Sequence, residues 1–441
     1  MLDDLVPGIL EGSTLDFRNL VGSSLSDRHQ SFRKWVLRRD QHGSWPYGRV
    51  LAGRAGDTVS VLDKNGQNRR ECCINFGSQD YLSLAQDSRL HDAAIEAIQE
   101  FGVHSAGSPA LCGRTTKLTR LESFLADKLR KPHGIVLPTG WAAGYGTITS
   151  LVREDDIVVM DKLSHNCLTE GAYRATRNVY RFAHNDLDAL LSRLTSIRQK
   201  YPSKGVFVVV ESLYSMDADS PNLSELIKIT KQFEAVSIVD VAHDFGCMGA
   251  GGIGALAELS DDCWPDVILG SFSKTFGANG GFIVGPECLQ DYLLMYAPSQ
   301  TFSNAISPIQ TGIVSKACEI VFSPEGDTLR MKLAKKVDLL RSEMSKQGMD
   351  VRGMPCPIVP VFVGDEKLAR LTYKALSERR ILANMVEHPG VAKGQARFRF
   401  QVMANHKAED IISAAQSMRT SREEAAQELL SLAPCALVEA N

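Results

Sequence analysis

The chain has 441 residues, too many for one small domain, so two or three structural units are expected. Hydrophobic residues make up 44% and charged residues 23%, the balance of an ordinary soluble globular protein. A formal net charge of −3, from 49 basic and 52 acidic residues, leaves no footprint for nucleic acid or an anionic membrane surface.

Residues 1–4 are acidic and lack the basic-then-apolar pattern of a signal peptide. No apolar run approaches the ~20 residues that span a bilayer. The ten cysteines are scattered, with no C-x-x-C pair and only Cys72 and Cys73 adjacent. That usage fits reduced thiols and a cytoplasmic location rather than a disulfide or zinc framework. Residues 26–39 are strongly charged and predict a surface helix. Residues 58–62 alternate, Asp63-Lys64-Asn65-Gly66 turns, and residues 70–76 return, which predicts a β-hairpin. Residues 1–74 are therefore expected to form an N-terminal arm or cap with a packing role.

From 75 to 310 the pattern changes. The runs at 135–137, 157–160, 206–210, 236–239 and 267–269 are short and rich in β-branched residues. Such runs fit strands buried on both faces. Helical stretches at 118–131 and 186–200 lie between some of them. Repeated strand–helix alternation predicts an α/β domain with a mainly parallel sheet, whose ligands bind at the carboxyl ends of the strands. Residues 311–441 are expected to form a smaller α/β domain. Within it, helices are predicted at 329–347, 367–380 and 408–432, and strands at 358–363 and 397–402.

The stretch richest in chemistry is Gly270-Ser271-Phe272-Ser273-Lys274-Thr275-Phe276-Gly277-Ala278-Asn279-Gly280-Gly281. A lysine between two buried strands is costly unless it is paired or covalently used. Such a lysine readily loses its charge and becomes a Schiff-base nucleophile. Ser271 and Ser273 can hydrogen-bond a phosphate, and the glycines let backbone approach it. Lysine beside a phosphate cradle points to pyridoxal 5′-phosphate (PLP).

Four other strand ends carry matching features. Thr139-Gly140-Trp141 opens a helix whose free N–H groups suit a phosphate. His165 stands where it can stack on an aromatic cofactor or serve as a structural histidine. Glu211 and Ser215 can position ring substituents, whereas Asp217 and Asp219 read as turn residues. Asp240 can hold a protonated pyridine nitrogen or cap a helix, and His243 can reach the ring's phenolic oxygen.

In this combination, from about Asn75 to Ile411, the chain resembles the α-oxoamine synthases, within the aspartate-aminotransferase-like PLP-dependent transferases. The matching segments are Asn75-Phe76 through Asp80-Tyr81-Leu82, Leu163-Ser164-His165, Ser215-Met216-Asp217, Asp240-Val241-Ala242-His243, Ser271-Phe272-Ser273-Lys274 and Gly394-Gln395-Ala396-Arg397-Phe398-Arg399. The resemblance implies that Lys274 forms the Schiff base and then moves protons at the substrate α-carbon. It pairs Asp240 with the ring nitrogen, stacks His165 on the ring, and brings His243 and Ser215 to the phenolic oxygen. It gives the phosphate to Ser271 and the backbone at Gly140 and Trp141. Arg399 would bind the amino-acid carboxylate through its planar fork. Ser303 and Asn304 resemble a segment that reaches a partner's phosphate across a two-fold interface, which implies a homodimer with shared sites.

The implied reaction condenses an amino acid with an acyl thioester, of coenzyme A or an acyl carrier protein, and releases carbon dioxide and thiol. Alternatives on the same fold are an aminotransferase, a lyase or a non-catalytic regulatory subunit; retention of Lys274 argues against the last. The chain departs from the family pattern at Gln79, where asparagine is usual near the substrate carboxylate, and at Ser83, Pro109, Leu118, Val241 and Asp244. Gln79 points the substrate towards a sphingoid-type or secondary-metabolite class.

Overall fold

The computed structural model describes residues 6–19, 21–67 and 69–432. The acidic residues 1–4 and the end of the 311–441 segment lie outside the described residues. In chain order the elements are α1 (Leu25–Gln41), β1 (Val50–Leu51), β2 (Thr58–Leu62), β3 (Arg70–Phe76), α2 (Ser88–Phe101) and α3 (Thr116–Lys128). Then come β4 (His133–Leu137), α4 (Gly140–Leu151), β5 (Ile157–Asp161), α5 (Asn166–Ala175), β6 (Val179–Phe182), α6 (Leu187–Lys200), β7 (Val206–Glu211), α7 (Leu223–Gln232), β8 (Val236–Asp240), β9 (Val267–Ser271) and β10 (Gly281–Gly285). The chain continues through α8 (Leu289–Tyr296), α9 (Pro298–Thr301), α10 (Pro308–Val321), α11 (Pro324–Lys346), β11 (Asp350–Val351), β12 (Ile358–Gly364), α12 (Glu366–Glu378), β13 (Ile381–Val386), β14 (Ala396–Gln401) and α13 (Ala408–Leu432).

Two compact units result: Gln79–Ser215 with Asp219–Leu333, and Met1–Ser78 with Met216–Ala218 and Ala334–Asn441. The first unit holds a seven-stranded sheet in the order β4-β10-β9-β8-β7-β5-β6. Strands β9, β8, β7, β5 and β6 are parallel neighbours, and β10 runs antiparallel to both β9 and β4. Every strand but β10 therefore points one way, and their carboxyl ends share one edge of the sheet. The strands are buried on both faces, as a parallel sheet covered by helices requires. Ile135, Val158, Met160, Val209, Ile238 and Leu269 form the centre of this core, with Ala143 and Ile148 of α4 and Leu168 of α5 packed against it.

The second unit holds another seven-stranded sheet, β1-β2-β3-β13-β14-β12-β11, antiparallel except for β3 beside β13. The expected hairpin is formed by β2 and β3, and β3 goes on to pair with β13. Helix α1 is charged but not merely a surface helix, because Trp35 and Arg39 on one face are fully buried. The Arg39 guanidinium lies 4.7 Å from the Trp35 ring and 3.3 Å from Glu387, which also takes Arg370 at 2.7 Å. A carboxylate shared by two buried arginines satisfies charges that could not be buried alone. The N-terminal segment and the C-terminal strands thus belong to one sheet and one core.

Candidate active site

Five strand ends at the shared edge converge on a cavity of about 400 Å³ in the first unit. Gln79, Gly140, Trp141, His165, Glu211, Asp240, His243, Ser271, Ser273 and Lys274 all line it. These are ten of the fourteen residues singled out from the sequence.

One end of the donor set is built for an anion. Thr139 caps α4, its hydroxyl accepting from the Ala142 N–H at 3.0 Å. The first N–H groups of a helix, here those of Gly140 and Trp141, have no acceptor within the helix. A Cβ on Gly140 would lie 2.5 Å from both Cβ and Oγ of Ser271, so only glycine lets these amides stand beside that hydroxyl. The Ser271 and Ser273 hydroxyls are 2.7 Å apart.

Lys274 sits on a tight loop rather than in the core. It is half-buried, not fully buried as its flanking strands suggest, because the loop turns its side chain to the cavity wall. The loop is anchored from below. Phe272 and Phe276 are fully buried with ring centroids 5.4 Å apart, and both pack on Phe245 or Phe282. The Phe272 N–H donates to the Gly280 carbonyl at 2.9 Å, and Gly280 adopts φ +128°, which favours glycine.

The acidic side of the cavity comes from β7 and β8. Asp240 is buried and accepts from the Ala242 N–H at 2.9 Å. Burial raises its carboxyl, and Lys274 opposes the rise. Glu211, also buried, accepts from the His165 N–H at 2.6 Å. Burial and the neighbouring Asp240 push it well above the usual carboxylate range. His165 caps α5, and its ring meets that of Trp141 edge-on at 6.2 Å. Burial lowers its imidazole. Buried His243 lies 3.1 Å from the hydroxyl of Tyr81.

Ser215, Ser303 and Asn304 lie outside this lining. Ser303 and Asn304 are exposed in the segment after α9. Arg399 belongs to the other unit, on β14, where its Nη1 donates to Met216 Sδ at 3.4 Å. Neighbouring Arg397 pairs there with Asp217, the turn residue of the sequence reading. Two neighbours of the site residues escape the sequence reading. Cys167 lines the cavity with Sγ 3.0 Å from His165 Nδ1, and its position two residues after His165, at a helix start, was the available signal. Tyr81 lies within the Asp80-Tyr81-Leu82 motif, but its pairing across 162 residues has no local signature.

The donor set fits PLP: an amide and hydroxyl cradle for a phosphate, an amine, and a buried carboxylate for a cationic ring nitrogen. Fold and cavity together define a PLP-dependent enzyme of the aspartate-aminotransferase-like class. The model of the aminotransferase class I and II family matches residues 71–418. The 8-amino-7-oxononanoate synthase of Petrotoga mobilis is 30% identical over 385 residues, 87% of this chain and 95% of that enzyme. The serine palmitoyltransferase of Sphingobacterium spiritivorum is 30% identical over 377 residues, 85% of this chain and 91% of that enzyme. Among solved structures, the fold matches a serine palmitoyltransferase from S. paucimobilis with a bound PLP–myriocin aldimine. That match has a TM-score of 0.84 at 22% identity and covers 92% of this chain and 100% of the other. The chain belongs to the aminotransferase class I and II family, in its α-oxoamine synthase branch.

Proposed function

We propose that the chain is a PLP-dependent acyltransferase that condenses an amino acid with an acyl thioester, releasing carbon dioxide and thiol and leaving an α-amino ketone. The observation that carries this reading is the presence of Lys274, Asp240 and the α4–Ser271 cradle in one cavity. Bound PLP supplies an electron sink for the charge left on the substrate α-carbon. The chain's own residues do the rest. The N–H groups of Gly140 and Trp141, with the Ser271 and Ser273 hydroxyls, hold the phosphate. The Asp240 carboxylate keeps the proton on the ring nitrogen. With PLP bound, His165 would cover one face of its ring, and His243, held by Tyr81 at 3.1 Å, would reach the phenolic oxygen. The Lys274 amine anchors the cofactor and then moves a proton at the substrate α-carbon.

Gln79 lines the same cavity. One methylene longer than the family's usual asparagine, it bears on which amino acid fits, and it supports a sphingoid-type or secondary-metabolite substrate. The substrate carboxylate is given to Arg399, and the phenolic oxygen in part to Ser215, on the resemblance alone. The partner in assembly is a second copy, with Ser303 and Asn304 serving the other copy's phosphate. The exposure of these two residues beside Phe302, itself 88% exposed, supports that role. A reduced, cytoplasmic setting completes the reading; the nine described cysteines are all free. Among the described residues no helix is long and apolar enough to cross a membrane.

The test is product analysis. Purified protein with PLP is given the common amino acids, alone and with acyl-CoA or acylated carrier protein. Carbon dioxide and free thiol are expected in equal amounts, only when both substrates are present. Amino-group transfer to a keto acid, without thiol release, would overturn the assignment in favour of an aminotransferase.

A further inference from the structure

His165 caps α5 with its own ring. Its Nδ1 lies 3.3 Å from the Cys167 backbone nitrogen and 3.0 Å from the Cys167 Sγ. A backbone N–H can only donate, so Nδ1 carries a lone pair at this contact. The sulfur on the same side must then donate as well. Burial keeps the thiol protonated, pushing it well above its ordinary value. With two donors converging on Nδ1, the imidazole is neutral and its single proton sits on Nε2.

The groups facing His165 explain why this matters. Asp240 of β8 favours a charged imidazole, whereas burial and Lys274 oppose one. Glu211 of β7 takes the His165 backbone N–H, and the Trp141 ring of α4 meets the imidazole edge-on at 6.2 Å. A charged imidazole would draw on the Asp240 carboxylate, the group assigned to the cofactor's ring nitrogen. We propose that Cys167 is a positioning residue: its thiol and amide hold His165 as the neutral Nε2–H tautomer and so reserve Asp240 for the cofactor. The consequence for the cofactor rests on the PLP reading above; the tautomer does not.

Packing supports a built contact. Cys167 is 2% exposed, and a Cβ on Gly144 would lie 2.4 Å from its Sγ. Glycine at 144 on α4 thus makes room for the sulfur beside the His165 ring.

The test reads the ring directly. Full-length, cofactor-free protein carrying ¹⁵N-histidine is titrated by NMR, with His165→Gln identifying the His165 signals. In the wild type, Nδ1 is expected in the unprotonated range and Nε2 in the protonated range to well below the ordinary histidine pKa of ~6.5. Cys167→Ala removes the thiol donor and should make His165 about tenfold easier to protonate. Cys167→Ser keeps a donor and should restore the wild-type titration, which also controls for folding. A proton on Nδ1 in the wild type, or a Cys167→Ala titration matching wild type, overturns the proposal. In the loaded enzyme, kcat should fall about tenfold in Cys167→Ala and recover in Cys167→Ser, with the thioester KM unmoved. Unchanged kcat despite a shifted titration overturns the link to Asp240. Failure of the PLP reading shows differently: wild-type protein would then take up no PLP, while the NMR result would stand.

Discussion

Glu211 and Asp240 end adjacent parallel strands directly opposite each other. Both are buried in the wall of one cavity. Two buried carboxylates side by side cannot both ionise cheaply. Their surroundings differ. Lys274 opposes the burial cost at Asp240, whereas at Glu211 the Asp240 charge adds to burial, and the His165 N–H and Lys274 offset them only in part. Glu211 is therefore the member pushed further towards its protonated form, and Asp240 the one better placed to keep its charge beside a cationic partner.

This division predicts that Glu211→Gln is mild where Asp240→Asn is severe. Glutamine reproduces a protonated carboxyl and still accepts the His165 N–H. Its kcat should stay within about threefold of wild type. Asp240→Asn should bind PLP yet slow α-proton exchange by orders of magnitude, at ~1.4 kcal/mol per decade. The pH sign follows from the raised Glu211 value. That carboxyl contributes stability below its unfolded pKa of ~4.3 and loses it as pH rises towards its folded pKa. Cofactor-free Glu211→Gln should thus gain Tm relative to wild type as pH rises from about 5 to 8. A difference flat with pH would show Glu211 to be ionised.

His184 behaves oppositely. It bonds Asp161 through Nδ1 at 2.9 Å and Asp219 through Nε2 at 3.0 Å. Burial works against its charge, but the hydrogen bonds to Asp161 and Asp219 outweigh it and raise the imidazole to about 9. This stability is fully present below the unfolded value of ~6.5 and is lost as pH rises through about 9. After allowance for partial exposure it amounts to about 2 kcal/mol. His184→Gln should lower Tm by a few degrees at pH ~7 and converge on wild type near pH ~10. A constant gap across that range would reject a charged His184.

What was legible in the chain follows from locality. β5, β7, β8 and β9 announce themselves because a strand buried on both faces must be a continuous apolar run. β6 is a four-residue edge strand with a half-exposed face, and it leaves no such run. The residues at the strand ends were readable because an α/β sheet gathers its chemistry there. The pairing of β3 with β13 joins residues about 300 apart and has no local signature. Nor do the Tyr81–His243 contact and the burial of Arg39 against Glu387. Composition marks α1 as charged, and only tertiary partners show which of its charges are buried.

Lys274 offers the most direct check on the cofactor. Lys274→Ala should abolish turnover and the visible absorbance of lysine-bound PLP. Phosphate binding by the α4 cradle should persist, so the variant should still retain some PLP on gel filtration. Circular dichroism should match wild type, because Phe272, Phe276 and Gly280 anchor the loop. Wild-type turnover by this variant would reject the PLP assignment.

The last prediction concerns the shared site. Asn304 is exposed in its own chain and outside the lining of its own unit's cavity. A role for it at the phosphate therefore requires a second copy, and in a two-fold dimer the contact is reciprocal. Lys274→Ala disables one contribution to a site, and Asn304→Trp blocks the other. Each homodimer should be nearly inactive, although each folds. Co-refolding equal amounts makes about half the dimers mixed. If the sites are shared, one site of each mixed dimer receives both defects and the other receives none. About a quarter of wild-type activity should then return. If Asn304 serves its own chain, both sites of every mixed dimer stay defective. Mixed dimers confirmed by mass, yet without recovered activity, would reject the shared site and leave Ser303 and Asn304 as an exposed loop of the monomer.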